Sequence, residues 1–187
     1  MGVQIIEDSR QQNGKHAHIE AWMRAHGVEF VPRARALAFG DYVAVGEDGQ
    51  PVSNVSVDTK KDVQELCMDL TSDHARFRRE CLRAREAGWR LVILTEQHPE
   101  YNERQFKMDE WVSGVCRRCE RMRHGRCDPL DRWCRCDQKR RKPVQGAQLR
   151  LAMIQMTARY GVQFRFCNRM HTARAICDLL GVSYGQG

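Results

Sequence analysis

The stretch Trp89-Arg90-Leu91-Val92-Ile93-Leu94-Thr95 constrains this chain more than any other. Four consecutive large aliphatic residues leave no polar face, so a strand here must be covered on both sides, with helices above and below a sheet. The run is also far shorter than the ~18 residues of a membrane span, and no charged-then-apolar leader stands at the N-terminus. The expectation is a soluble chain without signal peptide or transmembrane segment, cytoplasmic or nucleoid-associated.

The flanking segments supply the rest of such a fold. Val3-Gln4-Ile5-Ile6, ending in Glu7-Asp8, reads as a short buried strand, and Ile19, Trp22, Met23 and His26 recur at helical spacing before Gly27. Asp41–Val45 and Ser53–Val57 flank the turn-rich link Glu47-Asp48-Gly49-Gln50-Pro51 and predict an antiparallel hairpin. Two helical stripes follow, Val63/Leu66/Cys67/Leu70 and Phe77/Cys81/Leu82. Beyond Pro143 come a helix through Leu149, Met153, Met156 and Tyr160, a strand Val162–Phe166, and a last helix through Ala173, Ile176, Cys177 and Leu180. The order β-α-β-β-α-α-β-insert-α-β-α predicts an α/β fold with a mixed central sheet flanked by helices.

Length and charge narrow the function. With 187 residues and 42% hydrophobic content, the chain can bury one sizeable core and carry a small module besides. The 31 Lys+Arg against 24 Asp+Glu leave a net charge of +7, which favours a polyanionic partner.

Gly40-Asp41 opens the first hairpin strand and Asp58-Thr59-Lys60 closes the second. In a hairpin those two points are neighbours, so Asp41 and Asp58 converge at one end of the sheet. Two close carboxylates repel, and a divalent cation relieves the repulsion. Mg²⁺ or Mn²⁺ on Asp41, Asp58 and the Thr59 carbonyl is a chemically sensible site, with Lys60 placed to orient water or stabilise charge on a phosphate.

The segments Ile5-Ile6-Glu7-Asp8-Ser9-Arg10, Leu37-Ala38-Phe39-Gly40-Asp41-Tyr42, Val57-Asp58-Thr59-Lys60 and Leu91-Val92-Ile93-Leu94-Thr95-Glu96 together resemble the XPF-type structure-specific nucleases, a branch of the PD-(D/E)XK endonuclease superfamily. The resemblance covers residues 3–97 and resumes from about 146 to 180. It implies a restriction-endonuclease-like fold and a Mg²⁺- or Mn²⁺-dependent endonuclease cutting branched or junction DNA in recombination, replication or repair. It also implies metal-binding acids at Asp41 and Asp58, a catalytic lysine at Lys60, an early acid at Asp8 and a weaker match at Glu96, with Asp8 or Glu96 holding any second ion. The family's Glu-Arg-Lys signature, with Asp after three more residues, here has Asp58, Thr59 and Lys60, with Gln64 at the last position and Glu65 one residue beyond. The alternative is a nuclease-like fold that only binds DNA or recruits a partner. XPF-type enzymes commonly work as dimers, so a homodimer is a further expectation.

Nine cysteines include five within one short segment: Cys116, Cys119, Cys127, Cys134 and Cys136. This clustering predicts a structural zinc, on Cys116, Cys119, Cys127 and Cys136 by preference, with Cys134 and His124 as substitutes. The chain then divides into a nuclease domain, 1–114 and 143–187, and a zinc-stapled insertion, 115–142. Arg117, Arg118, Arg140, Arg141 and Lys142 are the expected DNA-phosphate contacts. The scattered Cys67, Cys81, Cys167 and Cys177 read as small core residues, and Trp111 and Trp133 as packing residues rather than stacking platforms.

Overall fold

A computed structural model describes residues 2–97, 107–113 and 144–185. Its elements are β1 (Gln4–Asp8), α1 (Ala17–Ala25), β2 (Phe30–Arg35), β3 (Tyr42–Val45), β4 (Val55–Lys60), α2 (Val63–Leu70), α3 (His74–Glu86), β5 (Arg90–Glu96), α4 (Gly146–Tyr160), β6 (Gln163–Cys167) and α5 (Thr172–Leu180). Short 3₁₀ turns cover Lys107–Glu110 and Arg169–His171.

The six strands form one mixed sheet in the order β2-β1-β3-β4-β5-β6. β3 is antiparallel to both neighbours, whereas β1/β2, β4/β5 and β5/β6 are parallel. The aliphatic run of β5 lies between β4 and β6, and Leu91 to Leu94 are at most 2% exposed, as a strand without a polar face requires.

Alternation assigns each side chain to one of two layers. Ile5, Tyr42, Val57, Val92 and Leu94 pack under α1 and α5, against Ile19, Met23, Ile176 and Leu180. Leu91, Ile93 and Phe164 pack under α2, α3 and α4, against Leu66, Phe77, Cys81 and Leu149. Cys67, Cys81 and Cys177 are buried free thiols and Cys167 is half-buried. Burial pushes the Cys81 thiol up to about 12, which leaves it an inert core group.

The α/β architecture and mixed sheet match the expectation from sequence, with two differences. β2 has no counterpart there: it is an edge strand exposed along nearly its whole length, with Pro32 inside it, so neither alternation nor an apolar run marks it. The second hairpin strand, expected at 53–57, instead spans Val55–Lys60. It outruns its pairing with β3, of which Tyr42↔Val57 is the registered pair, because β5 supports it through Lys60↔Thr95.

Ser113 and Val144, the described residues on either side of 114–143, are joined by a clasp. The Ser113 N–H donates to the Val144 carbonyl (3.0 Å), the Val144 N–H to Ser113 Oγ (3.1 Å), and the Gly146 N–H to the Trp111 carbonyl (2.7 Å). Gly146 sits so close to the preceding turn that a Cβ there would fall 1.5 Å from the Met108 carbonyl oxygen. Trp111 is 3% exposed and belongs to the main core. Because both ends are fixed by backbone contacts, replacing residues 114–143 with a linker of about eight Gly/Ser residues should preserve cooperative unfolding. Loop closure changes by only about 1 kcal/mol, and loss of a cooperative thermal transition would contradict the clasp.

Candidate active site

One face of the sheet, at the end where β1 and β4 finish and β3 begins, carries a cleft of about 600 Å³. Asp8 ends β1, Asp41 precedes β3, and Asp58 and Lys60 lie near the end of β4. Ser56, Asp58 and Lys60 alternate with Val57, so Asp58 and Lys60 face the α2/α3 layer while Val57 faces the other. Asp8, Asp41, Asp58 and Lys60 all line the cleft. The proximity expected of Asp41 and Asp58 is therefore present in the fold.

Asp41 is fixed by its neighbours on β4. Its backbone N–H donates to the Val57 carbonyl (2.8 Å), and its Oδ2 accepts from the Thr59 N–H (2.9 Å) and Thr59 Oγ1 (2.7 Å). Gln11 Nε2 donates to Oδ1. A strand residue points its N–H and C=O toward the same neighbour. The Thr59 carbonyl is thus turned toward the Asp41 side, ahead of the first residue of β3.

Lys60 Nζ is clamped between Asp58 Oδ2 (3.0 Å) and Asp69 Oδ2 (2.8 Å), with each side chain no more than 10% exposed. Burial opposes the ammonium's charge, but Asp58 and Asp69 outweigh it and raise Lys60 above the ordinary lysine range. Lys60 is thus held as the ammonium, a hydrogen-bond donor and not a base. Burial pushes the Asp58 carboxyl well up, and Asp41 and Glu80 add to the rise against the pull of Lys60. Asp58 and Asp69 outnumber the one ammonium between them, while the lining of the whole cleft, among the described residues, sets five carboxylates against six basic side chains. The oxygen donors of Asp41 and Asp58 suit a hard divalent cation such as Mg²⁺ or Mn²⁺. Among the described residues no group of three or more His, Cys, Asp or Glu is arranged to hold a metal ion, so the donors on offer are two carboxylates and a main-chain carbonyl, with water completing the shell.

The remaining expected residues fall as follows. Asp8 lines the cleft but is already engaged. Its oxygens accept from the Arg10 guanidinium, the Arg10 N–H (2.7 Å) and the Leu37 N–H (2.9 Å). Burial raises that carboxyl, yet these donors bring it below the usual range. Glu65 also lines the cleft and accepts the Lys61 N–H at 2.8 Å. Glu96 does not line it. One residue beyond Thr95, which pairs with Lys60, it projects to the opposite face and meets His18 Nε2 (2.8 Å) and Thr172 Oγ1 (2.9 Å).

Five of the contributing residues were not singled out from sequence. Asp69, buried near the end of α2, holds Lys60. Glu80 lines the cleft and its Oε1 accepts the Gly40 N–H at 3.3 Å. Arg76, Arg79 and Arg83 border the cleft along α3, with Arg76 paired to Asp69 at 2.9 Å. Their spacing with Glu80, one helical face, is the sequence signal that would have revealed them.

The family model of the ERCC4 domain matches residues 7–179. The chain belongs to the ERCC4-domain family. The match runs through both halves of the sheet, from the end of β1 to α5, and takes in every cleft residue named above. The fold is similar to that of XPF from Aeropyrum pernix, with a TM-score of 0.51 and 18% sequence identity, covering 95% of this chain. The chain spans 63% of the length of that one. No curated protein matches the sequence. Membership bears out the resemblance seen in the motifs. The clustered cysteines Cys116, Cys119, Cys127, Cys134 and Cys136, the substitute His124, Trp133 and the basic residues Arg117, Arg118, Arg140, Arg141 and Lys142 lie outside the described residues. Among the described residues, no helix is long and apolar enough to cross a membrane.

Gly40 sets the approach of Asp41 to β4. Its φ is +60°, and a Cβ would fall 2.4 Å from Ser56 Oγ and 2.9 Å from the Val57 carbonyl oxygen. Gly40→Ala combines a left-handed backbone penalty of about 1 kcal/mol with this overlap, so it should lower stability by about 2 kcal/mol or more. A urea titration in which the variant matches the parent would show that the approach is not tight.

Proposed function

We propose that this protein is a divalent-metal-dependent endonuclease that hydrolyses phosphodiester bonds in branched or junction DNA, in recombination, replication or repair. The observation that carries the reading is the convergence of Asp41, Asp58 and Lys60 on one sheet face, inside a cleft bordered by the α3 arginines.

Asp41 and Asp58, with the Thr59 carbonyl, would hold Mg²⁺ or Mn²⁺. The bound ion supplies an activated water and offsets charge on the phosphate. The chain's own groups do the positioning. Lys60, kept protonated by its two carboxylates, donates to a phosphate oxygen or to the attacking water, and its rigid clamp removes the need to reorganise as charge develops. Glu80 adds negative charge on the α3 side, whereas Arg79 and Arg83 are exposed to take the flanking phosphates. Arg76, tied to Asp69, joins that basic rim to the lysine. Structural zinc on the clustered cysteines, with the nearby arginines adding nonspecific DNA affinity, remains part of the proposal.

Asp58→Asn and Lys60→Ala should each reduce Mg²⁺-dependent cleavage of flaps, forks and four-way junctions by at least about 10²-fold. Circular dichroism must show a folded variant in each case. Cleavage at the parental rate by both variants would refute the assignment. The triple change Arg76→Gln, Arg79→Gln and Arg83→Gln should flatten the salt dependence of DNA binding, by about 0.9 in log–log slope for each phosphate that is no longer neutralised. An unchanged slope would place the DNA elsewhere.

A further inference from the structure

The opposite face of the sheet carries a second pocket, of about 280 Å³, at the same end of β4. Thr59 and Lys60 line both cavities, so the strand end is a wall between them. Lys15, His16 and His18 approach from the start of α1, Lys61 from the segment after β4, and Arg169 from the turn before α5. We infer that this pocket is an anion site that takes a phosphoryl group, distinct from the position where a strand would be cut.

His16 is its most informative member. The imidazole is 9% exposed, and Nδ1 lies 2.9 Å from Glu7 Oε1 and also meets the Tyr42 hydroxyl, which itself donates to Glu7 (3.1 Å). A carboxylate at Nδ1 assigns that nitrogen a proton and orients the ring, leaving Nε2 as its remaining polar atom. His16 is also the residue before α1 and makes no side-chain cap; the Ala17 and Ile19 N–H groups of the first turn donate instead to the Gly14 (3.4 Å) and His16 (2.9 Å) carbonyls. A buried, oriented imidazole lines the same cavity as Lys15, His18, Lys61 and Arg169.

The charges of the pocket fit an anion. Its two carboxylates are committed. Glu96 accepts from His18 and Thr172 on Oε1 and has Arg169 3.8 Å from Oε2, and Asp62 Oδ1 accepts the Glu65 N–H at 2.8 Å to cap α2. Lys15 and Lys61 have no carboxylate partner among the described residues. His18 Nδ1 is buried with no partner, a further polar atom that the protein leaves unsatisfied.

A strand lying in the neighbouring cleft would bring its next phosphate to this wall. That origin for the phosphate rests on the nuclease reading, whereas the pocket itself does not. The test uses the full chain. Inorganic phosphate should shift the His16 and His18 ring resonances saturably, and Lys61→Gln/Arg169→Gln, both surface changes, should weaken that response at least about fivefold. The same double variant should lower the salt slope of DNA binding by about 0.9 if the phosphate belongs to a strand. A ring response with no change in slope would support the pocket and assign it free phosphate. No ring response together with an unchanged slope would overturn it. Failure of the parent to cut DNA would remove the nuclease reading and leave the phosphate titration intact.

Discussion

A single desolvated ammonium ties together the parts that make this molecule work. Lys60 reaches from β4 to Asp58 on its own strand and to Asp69 on α2, and Asp69 in turn receives Arg76 from α3. Strand, second helix and third helix are joined through one cation, and removing one partner from such a buried pair typically costs about 3–5 kcal/mol. The arrangement is a poor choice for stability alone, because well-packed apolar side chains would hold the same elements as firmly. Its benefit is positional: the amine cannot leave the cleft without uncoupling the layer that covers it.

The crowding of acids around that amine follows the same logic. Asp8, Asp41, Asp58 and Glu80 share a small volume, and the fold accommodates them by supplying donors, from Arg10, Leu37, Thr59 and Gly40, rather than by separating them. Such local discord persists only where rigid surroundings over-determine it. Here the surroundings are the central strands β3 and β4, flanked by β1 and β5, with both layers of apolar packing beneath them.

Sequence patterns disclosed what repeats locally and missed what depends on packing. The apolar runs of β3 and β5, the turn-rich link between β3 and β4, and the stripes of α2 and α5 are visible because burial and turn chemistry act on them directly. Asp41 and Asp58 were readable because a hairpin makes distant positions neighbours by topology alone. β2 was invisible, since an exposed edge has no burial to pattern it. Spacing marks Arg76, Arg79, Glu80 and Arg83 as one charged face, but that this face borders the cleft, and that Asp69 meets Lys60, is decided only when two helices dock on the sheet, which no short window of sequence encodes. Glu96 was placed on the wrong side for a subtler reason. Its strand and its position at the strand's end were recognised, but parity relative to Asp58 depends on the β4–β5 register, which pairs Lys60 with Thr95 and so turns the next residue away.

The alternation along β4 has an evolutionary consequence. A strand that bears aspartate and lysine on one surface while its neighbours help enclose histidines on the other can drift by substitution on either side independently. It cannot absorb a one-residue insertion or deletion, which would exchange the two surfaces for every later side chain. Register therefore makes length the property this strand can least change, and variation among related sequences should accumulate as changes of letter in the strand and as changes of length only in its connecting loops.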